Sequence, residues 1–206
     1  MTETPSSKET GRVEAFSDGV FAIAITLLIL DVKVPIFVRE PGERELLRGL
    51  GDQWTSYVAY LMSFAVILVM WVNHHRIFTL VRKTDHAFLF WNGLLLMLVS
   101  IVPFPTSLLA KYFLGPAART AAAVYAGHGF LIALAFQGVW RHATYNDRLL
   151  APGTRAEVVR LTAQYRFGPL MYFTAFVLAF ISAWASIGLC LAFALFFSFQ
   201  GFRQKS

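Results

Sequence analysis

The chain has 206 residues, of which 57% are hydrophobic and only 15% are charged, and its mean hydropathy is +0.57. A soluble domain of this length buries too little surface to hide so much apolar material, so the composition predicts an integral membrane protein. The net charge of +6 is better explained by basic residues at the cytoplasmic membrane surface than by nucleic-acid binding. Cys190 is the single cysteine, which excludes a disulfide within one chain.

The N-terminal segment 1–11, MTETPSSKETG, is polar and small, which predicts a short disordered cytoplasmic tail. No cleavage site of a signal peptide follows it, so we expect it to remain in the mature protein. The first span is expected at 12–34, because Pro35 then stops the helix. Its most apolar part is bracketed by two carboxylates, Asp18 and Asp31.

Five further spans follow, and together with the first they predict an all-α membrane domain of six transmembrane helices over 12–202. The third carries Pro103 and Pro105, two residues that bend or end a helix. The uncharged run 167–202 is far too long for one crossing, so we expect it to fold back near 182–186. A charged loop with a short amphipathic surface helix is expected at 36–51. The five spans lie at about 54–72, 87–109, 120–140, 166–182 and 185–202.

The basic residues predict the orientation of these spans. Six crossings place both termini on one side of the membrane, and Lys and Arg are more frequent in the two tails and in the loops of that side. The positive-inside rule therefore places both termini in the cytoplasm of a multi-pass protein of the cell membrane. The arginine-rich stretch 141–166 is interpreted as a solvated cytoplasmic connection.

The first helix has two chemically different faces. At about 100° per residue, Ile23, Leu27 and Leu30 share one stripe, whereas Asp18 lies roughly 140° away from Ile23. An ionisable side chain at membrane depth needs a partner or water, so Asp18 is expected to pair inside the subunit. Asp31 lies near the outer end, where its charge can attract cations.

Two motifs carry a family resemblance. The first runs from Arg12 through Phe16-Ser17-Asp18-Gly19 to Thr26, as R-x3-FSDG-x2-AI-x2-T. The second is W-x2-HH-x2-F, which begins at Trp71 after the second span. Together with the six-span layout over nearly the whole chain, these motifs resemble the bacterial branch of the transmembrane protein 175 family of potassium-permeable channels.

The resemblance implies a homotetramer in which the first helices of four chains surround a central pore. The apolar rings that form the narrowest part of such pores match Ile23, Leu27 and Leu30, and Thr26 offers a hydroxyl to a partly hydrated ion. A hydrophobic constriction of this kind can gate by dewetting, and the sequence contains no TVGYG-like carbonyl filter. We therefore expect passive conduction of K⁺, with softer selectivity against other monovalent cations than in a conventional potassium channel. The family also implies a structural polar network, whose members here are Arg12, Phe16, Ser17, Asp18, Trp71, His74 and His75.

Two other function classes fit the sequence less well. A proton-coupled secondary transporter would use Asp18, His74 and His75 as proton carriers, but the chain shows neither inverted repeats nor glycine-broken helices around a midplane site. A membrane enzyme would need a catalytic motif, and none is present. Adjacent histidines point to different helix faces and no third ligand completes a set, so we expect no metal and no cofactor. The expected partners are the lipid bilayer, K⁺ and further copies of the chain, with no nucleic acid.

Overall fold

The computed structural model describes residues 5–202, with their side chains over 9–195, and this part of the chain is almost entirely helical. Four stretches of it are long and apolar enough to cross a membrane: Glu9–Asp31, Trp54–Leu80, His86–Tyr112 and Ala118–Asp147. The helices are α1 (Pro5–Leu27), α2 (Glu43–Gly51), α3 (Trp54–Leu80), α4 (His86–Ile101), α5 (Pro103–Tyr112), α6 (Ala118–Thr144), α7 (Arg155–Tyr165), α8 (Gly168–Ala179) and α9 (Ala183–Phe202).

Helix α1 begins earlier than the sequence suggested. Residues 5–11, expected as part of a disordered tail, belong to this helix. Proline is favoured in the first turn of a helix, and the buried Thr10 hydroxyl donates to the carbonyl oxygen of Arg82 at 3.2 Å. This contact with the chain after α3 anchors the N-terminal turns. The helix also ends earlier, at Leu27, and continues as a 3₁₀ turn over Leu28–Asp31.

The later elements differ from the expected spans in their ends. Helix α3 continues past the expected end at 72 through the His74-His75 cluster to Leu80. Helices α4 and α5 follow one another through Val102, whose backbone stays helical, because Pro103 occupies the first turn of α5 where no amide hydrogen is needed. The long C-terminal apolar run turns back at 180–182, between α8 and α9. The connection expected between the fourth and fifth spans contains the helix α7.

Two hydrophobic clusters hold the helices together. The larger one joins α1, α3, α4, α6 and α7 around Phe21, Ile67, Leu95 and Trp140. The smaller one joins α3, α5, α6, α8 and α9 and is rich in alanine. Small residues let helices approach closely in a membrane, and Gly129 of α6 illustrates this, since an added Cβ would lie 2.9 Å from the ring of Tyr172 on α8.

A polar cluster fixes the loop between α3 and α4. Asp85 caps α4 by accepting from the amide of Phe88 at 2.8 Å, and it also accepts from His142 Nε2 at 2.7 Å and from Arg148 at 3.1 Å. Partial burial opposes the charged form of Asp85, but these three donors outweigh it and lower the pKa of the carboxyl below its usual value. The cluster ties the start of α4 to the end of α6.

The lowered pKa of Asp85 predicts a pH-dependent stability. Because the folded-state pKa lies below the ordinary value of about 3.9, the stabilisation is present above that value and is lost as the pH falls through the folded pKa. The melting temperature of Asp85→Asn should therefore be lower than that of the native chain near pH 7. The gap should narrow as the pH falls below that ordinary value and through the folded pKa, and a constant gap across the titration would contradict the assignment.

Candidate functional site

The candidate site is built on α1, which presents one face to the rest of the subunit. Ser17, Phe21, Ala24 and Leu28 are buried and recur at the spacing of a single helix face. This face packs against α3 and α4. The remaining half of the helix faces away from the described subunit, so any function of that half involves lipid, water or another copy.

Three hydrogen bonds join α1, α3 and α4 at one level. Trp71 Nε1 on α3 donates to Asp18 Oδ1 at 2.8 Å. The amide of Asn92 on α4 donates to Ser17 Oγ at 3.0 Å, while its oxygen faces Nε2 of His74 on α3 at 2.9 Å. Each helix is thus bonded to both of the others, which fixes the rotation and the height of α1.

His74 is completely buried at the centre of this arrangement. Its ring lies between Phe21, with centroids 5.2 Å apart, and Phe78, with centroids 4.6 Å apart. Nε2 donates to Asn92, and Nδ1 finds no partner among the described residues. Within the described part of the chain no three His, Cys, Asp or Glu side chains lie close enough to hold a metal ion. The geometry therefore gives His74 a packing and hydrogen-bonding position.

A second, more exposed contact between α1 and α3 lies one helical turn from the first, toward the N-terminus of α1. His75 Nδ1 donates to Glu14 Oε1 at 2.8 Å, and the His75 ring stacks on Trp71 with centroids 6.0 Å apart. Glu14 lies four residues before Asp18, so the two carboxylates occupy successive turns of α1. Both contacts hold α1 against the same end of α3.

The structure does not bring every expected member into the network. Phe16 is 68% exposed and lies outside the buried face of α1. Arg12 is exposed and makes no hydrogen bond within the described chain. Both residues therefore lie outside the hydrogen-bonded group, because the helix turns them away from α3 and α4. Their part in a structural network stays a prediction.

The apolar stripe expected to line the pore lies on the exposed half of α1. The exposed fractions are 60% for Ile23, 41% for Leu27 and 60% for Leu30. Leu30 belongs to the 3₁₀ turn, where side chains three residues apart eclipse one another. Leu30 therefore stays in line with Leu27 although the α-helix has ended, and the change of helix type preserves the stripe.

Two polar groups accompany the stripe. The Thr26 hydroxyl is exposed and donates to the carbonyl oxygen of Ile23 at 2.9 Å, which leaves lone pairs of the hydroxyl oxygen open to the outside. Asp31 is half-buried at the last position of the 3₁₀ turn, next to the loop that leads to α2. The end of the stripe is therefore flanked by a carboxylate.

Asn92 and Glu14 complete the contacts of α1 and were missed by sequence reasoning. A signal for Asn92 was available, because an amide inside the otherwise apolar run of α4 must find a partner. Nothing in the sequence indicated which partner it would find. Glu14 lies in a polar region of the chain, where a carboxylate is unremarkable.

The chain is similar in sequence and structure to a family of known proteins. The family model described as endosomal/lysosomal potassium channel TMEM175 matches residues 12–103. A potassium channel of Chamaesiphon minutus is 58% identical over 97% of this chain and 98% of its own length, and one of Streptomyces collinus is 48% identical over 93% of each. The crystal structure of a lysosomal potassium-selective channel TMEM175 homologue from Chamaesiphon minutus matches with a TM-score of 0.84 and 54% identity, covering 94% of this chain and 98% of that one.

The central position of Asn92 predicts that its removal destabilises the subunit. Asn92→Leu removes the shared partner of Ser17 and His74. Ser17 keeps its bond to the carbonyl oxygen of Val13, but the buried His74 Nε2 loses its partner, which costs about 1–3 kcal/mol. The melting temperature of the purified protein should fall clearly. The matched control on α4 is Ser100→Ala, since the exposed Ser100 hydroxyl bonds only its own helix at Met97. Equal melting temperatures for the two variants would contradict the role of Asn92.

Proposed function

We propose that this chain, which belongs to the TMEM175 family of potassium channels, conducts K⁺ passively through a pore lined by α1 of several copies. It is a membrane-embedded potassium channel and not an enzyme. Its permeant ion is K⁺, and channels of this family need no cofactor.

The observation that carries the proposal is the division of α1 into two faces. One face is fixed by the bonds of Ser17 and Asp18 to α3 and α4, and the other presents Ile23, Leu27 and Leu30 outward. One helix cannot enclose a pore, so the outward stripe needs equivalent stripes from other copies. Rotational symmetry about an axis beside α1 would place each of the three residues in a ring.

These rings have the chemistry of a hydrophobic constriction. An apolar ring holds water poorly, so a small change in its width can empty or fill it, and a cation must shed part of its hydration to pass. K⁺ loses water more cheaply than Na⁺, which favours K⁺ without a carbonyl filter. Thr26 would offer its oxygen beside the Ile23 ring, and Asp31 would raise the cation concentration at the pore mouth.

We propose a homotetramer of six-helix subunits, as the family resemblance implies. The four long helical stretches would be joined by α8 and α9 as the fifth and sixth crossings. Basic residues cluster where α3, α6 and α7 meet the connecting loops, among them Lys83, Arg148, Arg155 and Arg160. By the positive-inside rule this end would face the cytoplasm of the cell membrane, together with the N-terminal turns of α1.

Passive conduction is tested with purified protein in liposomes. Under a K⁺ gradient, flux should run down the gradient without a proton gradient or a second solute, and it should slow when Na⁺ replaces K⁺. Valinomycin calibrates the full K⁺ response in liposomes without protein. Flux that appears only with an imposed proton gradient would contradict a passive channel and favour a proton-coupled transporter.

The location of the constriction is tested by Ile23→Asn. An amide in the ring would hold water, so the K⁺ over Na⁺ permeability ratio should fall several-fold and the resting conductance should rise, both measured by bilayer recording. Ile29→Asn is the matched control, since Ile29 is 50% exposed in the same segment but lies off the stripe. An unchanged reversal potential in mixed K⁺ and Na⁺ for Ile23→Asn would contradict the assignment, as would an equal shift for Ile29→Asn.

A further inference from the structure

A crevice of about 80 Å³ lies between α3, α6 and α8. It is lined mainly by apolar side chains, and Ala194 of α9 closes one part of it. Val69 and Phe136 are half-buried, so the crevice reaches the surface of the subunit at that edge. The principal wall residues are Val66, Met70, Ile132, Phe136, Gly168 and Tyr172.

The polar groups at one end of the crevice already satisfy one another. Tyr165 OH donates to Asn73 Oδ1 at 3.1 Å, and Asn73 Nδ2 donates to the carbonyl oxygen of Val69 at 2.9 Å. The side-chain amide of Gln137, in the orientation that satisfies both ends, donates to the Tyr165 carbonyl at 3.0 Å and accepts from Arg141 Nε at 3.1 Å. These bonds use most of the hydrogen-bond donors and acceptors at this end, so few remain for a polar ligand.

Gly168 gives independent evidence that the space is open. It is buried at the start of α8 and lines the crevice, yet a Cβ built on it meets no heavy atom of the described residues within 4 Å beyond its chain neighbours and the backbone of its own helix. Gly129, half-buried on the α6 wall of the same crevice, differs, since a Cβ built there would lie 2.9 Å from the ring of Tyr172. The described part of the subunit therefore leaves room for extra atoms at Gly168.

The crevice has room for several water molecules, but a water needs two to four polar partners, and the walls supply few. Its walls on α3 and α6 lie along the middle turns of these helices, both of which are long and apolar enough to cross the membrane, and its far end lies at Gly168, where α8 begins. At that depth the surrounding medium is hydrocarbon. We propose that this crevice binds a hydrocarbon chain of a membrane phospholipid, inserted past Val69 and Phe136 toward Gly168.

The proposal is tested with the full chain in vesicles of phosphatidylcholine and phosphatidylglycerol that contain a trace of phosphatidylcholine with a diazirine at the end of one acyl chain. After illumination, adducts mapped by mass spectrometry should concentrate on 66–73, 129–137 and 168–172. Gly168→Leu fills the space and should abolish these adducts. Gly188→Leu is the control, because Gly188 has equally open space in a separate groove beside Trp184 and should leave the crevice adducts unchanged.

Two results would overturn the proposal. The first is the absence of adducts at the crevice of the native chain. A neighbouring copy that filled the crevice would give the same result, and loss of the oligomer in Gly168→Leu would then identify that copy as the occupant. The other is a set of crevice adducts that persists in Gly168→Leu. If Gly168→Leu fails to fold, the smaller Gly168→Ala should still reduce the adducts, and an undiminished yield would count against the site.

Discussion

The bonding of Ser17 and Asp18 to α3 and α4 is the constraint on which the rest of the arrangement depends. Asp18 accepts from Trp71, and Ser17 accepts from Asn92, so two adjacent residues of α1 are held by two different helices. A helix packed only by apolar contacts can rotate or slide at little cost, because similar side chains replace one another at the interface. Directional hydrogen bonds from two sides remove that freedom and decide which half of α1 faces outward.

Membrane burial makes this constraint strong. A carboxylate or an amide at membrane depth is costly unless it is paired, so states in which Asp18 or Asn92 loses its partner are disfavoured. The fixed face in turn orients the apolar stripe of Ile23, Leu27 and Leu30, and the 3₁₀ turn after Leu27 keeps Leu30 aligned with it. The hydrogen-bonded inner face and the apolar outer stripe of α1 are therefore two consequences of one helix orientation.

The sequence predicted the features that depend on composition, motifs and helical periodicity. It did not predict the contacts between residues that are distant in the chain. Composition predicted the membrane class, and the family of potassium channels was recognised from the motifs on α1 and α3 and confirmed by comparison. Periodicity placed Asp18 away from Ile23. Asn92 could not be assigned, because a lone amide in an apolar helix does not reveal which neighbours it meets. Helicity of 5–11 also escaped prediction, since it depends on the tertiary contact of Thr10 with the chain after α3.

The central claim, that the outward stripe of α1 faces an aqueous ion path, is tested most directly by cysteine accessibility during current recording. In a background with Cys190→Ser, Ile23→Cys and Leu27→Cys should let Ag⁺ block the K⁺ current, because Ag⁺ enters aqueous cation pathways and binds thiolates. Phe21→Cys and Ala24→Cys, on the buried face, should leave the current intact. Block through the buried positions, or none through Ile23 and Leu27, would contradict the account.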